Sequence, residues 1–119
     1  MGGNASKTTT EKAASVAWRS LVKPGQVTMF SKSTCPYCKN SKSILDKNAV
    51  EYKAHETDID WSKEDVTTLK TESEHKSFPN IWIGEKKLGG NSDLEEAVSS
   101  GKLYELLDLE NISYKKTNL

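Results

Sequence analysis

Val27-Thr28-Met29-Phe30-Ser31-Lys32-Ser33-Thr34-Cys35-Pro36-Tyr37-Cys38 is the stretch on which the fold turns. Its first four residues form a short, β-prone, apolar run that reads as a buried strand. Pro36 marks a helix start, because a proline in the first helical turn gives up an N–H that has no partner there anyway. Both cysteines of the chain therefore fall at one strand-to-helix junction, a single helical turn apart. Working outward, Ile44 and Leu45 carry that helix to about residue 48, and residues 50–55 read as a second strand. Upstream, Ala13, Val16, Ala17 and Leu21 recur at helical spacing from Thr10 on, and Pro24-Gly25 ends the pattern. Downstream, Ser62 opens a helix through about residue 70, with Val66 and Leu69 inward. Phe78-Pro79 breaks the chain before the strand Ile81-Trp82-Ile83, and Gly84-Glu85-Lys86-Lys87 turns it into a short strand at Leu88. Two helices close the chain, one with Leu94, Ala97 and Val98, the next, after Gly101, with Leu103, Leu106 and Leu107. The order α-β-α-β-α-β-β-α-α implies an α/β protein with a small mixed sheet covered on both faces.

Size and composition fit one such unit. The chain has 119 residues, 34% apolar and 29% charged, with 17 basic and 17 acidic residues. That supports one modest core, and the balanced charge excludes a general nucleic-acid footprint. No apolar run is long enough to cross a bilayer, and the polar N-terminus has no apolar stretch of the secretory kind. A soluble single domain over residues 11–110 is expected, with a flexible tail over 1–10 and another over 111–119. The charge is unevenly placed: residues 31–53 carry five lysines against two acidic residues, and residues 56–74 carry seven acidic residues against two lysines. Two solvated faces account for this pattern on its own. The basic stretch nevertheless surrounds the cysteines, where an anionic substrate would be drawn.

Cys35-Pro36-Tyr37-Cys38 admits three readings. Zinc needs about four ligands, and only His55 and His75 remain to join the cysteines, neither in a metal-like pair; no metal is expected. A purely structural disulfide would close a loop too small to constrain the unfolded chain much. A redox dithiol is the reading favoured by position. Cys35 would sit at a helix N-terminus, where free N–H groups, the positive dipole end and Lys32 favour a thiolate over a thiol. Cys38, one turn further in and more buried, can attack a mixed disulfide formed on Cys35 without leaving its helix. Cys35 attacks and Cys38 resolves.

The Cys-Pro-Tyr-Cys motif after Lys32-Ser33-Thr34, Pro79 after Ser77-Phe78, and Gly89-Gly90-Asn91-Ser92-Asp93 together resemble a dithiol glutaredoxin, over residues 13–109. The resemblance implies a thioredoxin-like fold, a four-stranded mixed sheet flanked by about five helices. It implies glutathione-dependent reduction of protein–glutathione mixed disulfides and of protein disulfides, with glutathione as co-substrate and a monomeric protein. It further implies a cis Phe78-Pro79 bond facing the cysteines, with the backbone of Phe78 offered to glutathione as an added strand would offer it. Lys32 would hold the glycyl carboxylate, Ser92 and Asp93 the γ-glutamyl end, Tyr37 would pack beside the tripeptide, and Lys76 would supply a second carboxylate contact. Ser77-Phe78 stands where many members carry Thr-Val. Trp82 is expected in the core, Trp61 as a packing or surface aromatic, and His75 at the surface. An iron–sulfur cluster carrier, with Cys35 and glutathione as ligands, is the alternative; Pro36 argues against it by stiffening the loop. Gly2 and Ser6 match an N-myristoylation pattern. If acylated, the single chain would give only reversible membrane binding to a cytoplasmic protein.

Overall fold

The computed structural model describes residues 16–116. The expected N-terminal tail, the acylation pattern at Gly2 and the start of the first helical pattern lie outside the described residues. The element order is α1 (Trp18–Leu21), β1 (Val27–Ser31), α2 (Pro36–Lys47), β2 (Tyr52–Glu56), α3 (Thr57–Asp60), α4 (Lys63–Ser73), β3 (Asn80–Ile83), β4 (Lys86–Gly89), α5 (Asn91–Ser100) and α6 (Lys102–Leu109). The strands form one mixed sheet in the order β2-β1-β3-β4. The β1–β2 pair is parallel, and the β1–β3 and β3–β4 pairs are antiparallel. This is the thioredoxin-like α/β architecture, with six helices among the described residues.

Alternation along β1 divides the core into two layers. Val27 and Met29 pack with Ile44 and Leu45 of α2, Leu94 and Ala97 of α5, and Leu103 and Leu107 of α6. Phe30 points to the other face and packs with Trp18, Val22 and Leu69. Trp18 makes an edge contact with Phe30 at 6.1 Å between centroids, and its indole N–H donates to Glu72 at 2.8 Å. The Asp65 carboxylate accepts the Val16 N–H at 3.1 Å, tying the chain ahead of α1 to α4.

The structure departs from the sequence reading in several places. The helical pattern ahead of Pro24 yields, among the described residues, only the single turn of α1, since Val16 and Ala17 are not helical. The second strand starts at Tyr52, because Ala49 turns with φ 54° and the Val50 N–H returns to the Leu45 carbonyl at 2.9 Å, closing α2. The one-turn α3 was not foreseen. α4 runs to Ser73, and Glu74 caps it in the left-handed region. Val66 is only half-buried, and so is Trp82, whose indole N–H finds Asn80 Oδ1 at 2.9 Å. The boundary of the C-terminal tail also moves: Ile112 and Tyr114 pack on the core, and the Lys115 N–H donates to the Asn48 carbonyl at 2.6 Å. The segment from 111 to at least 116 is part of the body.

Candidate active site

β1 delivers the chain from the middle of the sheet to the cysteine loop, and Pro36 starts α2 immediately afterwards. Cys35 is the N-cap of that helix: its sulfur accepts the Cys38 N–H at 3.2 Å, the bond a capping oxygen would otherwise make. A sulfur in that position collects the free N–H groups and positive dipole end of a three-turn helix, which favour negative charge. Cys35 is half-exposed and Cys38 is buried, and both are free thiols. Burial pushes the Cys38 thiol from 9.0 up to about 11, and the hydrogen bond with the Cys35 sulfur adds to the rise. The two sulfurs therefore differ in access, and burial holds Cys38 as the thiol, as a resolving thiol should be.

Across the site, the Phe78-Pro79 peptide is cis. The Phe78 carbonyl lies 3.5 Å from the Cys35 sulfur and accepts its thiol proton. The Phe78 ring is approached by two ammonium groups, Lys70 at 5.6 Å and Lys32 at 6.0 Å from its centroid. Cys35, Cys38, Lys32, Phe78 and Pro79 thus gather at one edge of the sheet. Tyr37, exposed, follows Pro36 on the first turn of α2, and Lys76 is exposed two residues before Phe78. Ser92 and Asp93 stand in the first turn of α5, whose N-cap is Gly90. One Asp93 oxygen accepts the Gly90 N–H at 2.8 Å, so part of this carboxylate serves as a helix cap. The double glycine has a local cause at Gly89, where φ is 122° and a Cβ would collide with the Asp93 carboxylate.

Three residues belong to the site's support that the sequence reading did not place there. His75, expected at the surface, is half-buried, and its Nε2–H donates to the Pro79 carbonyl at 3.1 Å. Asp58 accepts from both the Ser33 hydroxyl (2.6 Å) and the Ser33 N–H (3.0 Å), anchoring the loop that leads to Cys35. Those bonds hold the Asp58 carboxyl below its usual range. Ser33 itself was read only as part of the motif's lead-in. The missing signal was strand pairing: parallel β1 and β2 end at the same edge, which sets residues 57–60 beside residues 32–34.

A half-exposed thiol capping a helix, with a buried thiol one turn on and a cis-proline loop opposite, defines a thiol–disulfide oxidoreductase of thioredoxin-like fold. Comparison with known proteins narrows the class. The glutaredoxin family model matches residues 27–88. Glutaredoxin-2 of Schizosaccharomyces pombe is 39% identical over 82 residues, 68% of this chain and 74% of that protein. Glutaredoxin-C8 of Oryza sativa subsp. japonica is 32% identical over 113 residues, 91% of this chain and 80% of that protein. The crystal structure of a buckwheat glutaredoxin–glutathione complex superposes with a TM-score of 0.71 at 27% identity, covering 79% of this chain and 86% of that one. The chain belongs to the glutaredoxin family.

Proposed function

We propose that this protein reduces protein–glutathione mixed disulfides through Cys35 and protein disulfides through Cys35 and Cys38, with glutathione as the reductant. The observation that carries the reading is the Cys35 sulfur, seated on the N-terminus of α2 with the Phe78 carbonyl 3.5 Å away. A thiolate formed there attacks a glutathionylated cysteine, keeps the glutathione and releases the reduced protein. A second glutathione then regenerates Cys35. With a protein disulfide, Cys38 closes on Cys35 instead, and two glutathiones reopen the pair.

Glutathione is assigned a cradle along the same edge. The Phe78 backbone would pair with its cysteinyl unit, beside Pro79. Lys32 and Lys76 would take the glycyl carboxylate. The free N–H groups at Ser92 and Asp93 would take the γ-glutamyl carboxylate, and the Asp93 oxygen not used on Gly90 would take the ammonium. Tyr37 would cover the tripeptide. The buckwheat family member solved with glutathione supports this reading. The test is glutathione-dependent reduction of a glutathionylated peptide by wild type, Cys35→Ser and Cys38→Ser. Activity should vanish in Cys35→Ser and persist in Cys38→Ser, while protein-disulfide reduction should fail in both. An inactive wild type would refute the reading.

A further inference from the structure

The two helices that would meet the two ends of glutathione are tied to each other near their starts. α2 carries Cys35 as its N-cap, and Ser92 and Asp93 stand in the first turn of α5. Further along, the helices share an apolar cluster, with Ile44 and Leu45 from one and Leu94 and Ala97 from the other. Nearer their N-termini the contact is polar. Asn91, the first residue of α5, is buried, and its Oδ1 accepts two hydrogen bonds from α2. One comes from the fully buried Ser41 hydroxyl at 2.7 Å, the other from Asn40 Nδ2 at 2.9 Å. Asn40 Nδ2 also donates to Glu95 Oε2 at 3.1 Å, one turn on along α5. On its other side, the N-cap Gly90 stands against the cis-proline loop. A Cβ there would be 3.6 Å from the His75 ring and from the Pro79 carbonyl oxygen. The start of α5 is thus held between the cysteine helix and the loop that faces the cysteines.

Apolar contact is non-directional and lets one helix slide on another. A hydrogen bond has a set length and a preferred angle, and two of them on one oxygen fix its place. A well-packed apolar pair could replace such bonds at little cost in stability, so what they add between α2 and α5 is spacing. Spacing matters because glutathione is one molecule that must reach both helices, its sulfur at Cys35 and its γ-glutamyl carboxylate at Ser92 and Asp93. Groups fixed in place beforehand spare the cost of ordering them on binding. We propose that Asn91 is a positioning residue. Held by Ser41 and Asn40, it sets the distance from the cysteine helix to the γ-glutamyl end of the cradle. It thereby makes the protein select mixed disulfides of glutathione over those of other small thiols. The side chain of Asn91 is turned to α2, and it acts on the ligand through the backbone of Ser92 and Asp93 that follows it. This rests on the glutathione cradle proposed above.

The test compares one peptide carrying either glutathione or free cysteine on the same thiol. Both forms are attacked at Cys35, and only the first has a γ-glutamyl end for α5 to hold. Second-order rates of peptide release by the prereduced protein are measured for wild type, Ser41→Ala, Asn91→Ala and the double variant. The readout is the ratio of the glutathionylated rate to the cysteinylated rate. It should fall by about tenfold in Asn91→Ala and by less in Ser41→Ala, the scale of hydrogen bonds lost from one acceptor. The cysteinylated rate should hold. The double variant should lose no more than Asn91→Ala, because both changes remove the same bond. Should Asn91→Ala fail to fold, Ser41→Ala and Asn40→Ala, the latter at an exposed residue, must each still lower the ratio. An unchanged ratio, equal falls in both rates, or losses that simply add in the double variant would overturn the proposal. A wild type that does not prefer the glutathionylated form would instead refute the glutathione cradle itself.

Discussion

Alkylation of the reduced protein tests the difference between the two sulfurs directly. Cys38 is fully buried, and its thiol is pushed from 9.0 up to about 11. At pH 7.5 both values lie above the pH, so the ionised share falls tenfold per unit, to about a hundredth of that of an ordinary thiol. Alkylation proceeds through the thiolate, and burial also hides the sulfur from reagent. Iodoacetamide at pH 7.5 should therefore add one equivalent, at Cys35, with Cys38 reacting at least about a hundredfold more slowly than an ordinary thiol. Intact mass against time and peptide mapping give both rates. Two additions at similar rates, or first labelling at Cys38, would refute the reasoning. The same shift has a consequence for stability. A group whose folded pKa is raised leaves stability intact below its unfolded value and removes it as pH rises through the folded value. The loss should run from about pH 9 to about pH 11 and approach roughly 3 kcal/mol, at about 1.4 kcal/mol per unit. Urea denaturation over that range should show a steeper alkaline decline in wild type than in Cys38→Ser, which keeps only the losses from groups such as Tyr52.

Two further outcomes follow from the supporting bonds. His75→Ala leaves the buried Pro79 residue's carbonyl without its donor, so stability should fall by about 1 kcal/mol in urea denaturation, and glutathione should saturate the enzyme at higher concentration. Unchanged values for both would remove His75 from the site. Asp58→Asn weakens the anchor on Ser33, and faster exchange of the Ser33 amide by NMR is expected. In wild type the Asp58 carboxyl is held below 3.8, so this anchor should persist at mildly acidic pH and be lost as pH falls through that lowered value.

Local signals and long-range pairing divide what the sequence discloses. The strand at Val27, the helix start at Pro36 and the break at Phe78-Pro79 are set by near neighbours, and each was legible. Ala49 could not be foreseen: a non-glycine residue in the left-handed region is uncommon, and it moved the start of β2 by two residues. Trp82 reads as core because a strand's centre is usually covered, yet it is only half-buried, its ring packed on that of Trp18 with 5.5 Å between centroids. Residues 111–116 look like a tail because their pattern is too short for an element. What holds them is the Tyr104–Tyr114 ring contact at 5.0 Å and the Lys115–Asn48 hydrogen bond, between residues distant in sequence. At the site, Cys35 and Cys38 are legible because one helical turn relates them. His75 escaped because nothing local pairs it with the Pro79 carbonyl.

The parallel β1–β2 pair connects these findings. In an open α/β sheet, the loops after the carboxyl ends of parallel strands gather at one edge, and functional groups collect there. Here those ends are Ser31 and Glu56, side by side. The loop after Ser31 presents Cys35, and the turn after Glu56 presents Asp58, which grips Ser33 in that loop. One register thus fixes the position of the attacking sulfur on the outside. It also sets Ser31 and Glu56 side by side on the face that meets α2, where Lys42 holds Glu56 Oε2 at 2.7 Å. A one-residue slip would turn the side chains of β2 to the opposite face. Glu56 would then leave Lys42, and the loop would lose its carboxylate anchor. The loop that carries the attacking sulfur would lose its support from β2 and the turn that follows it.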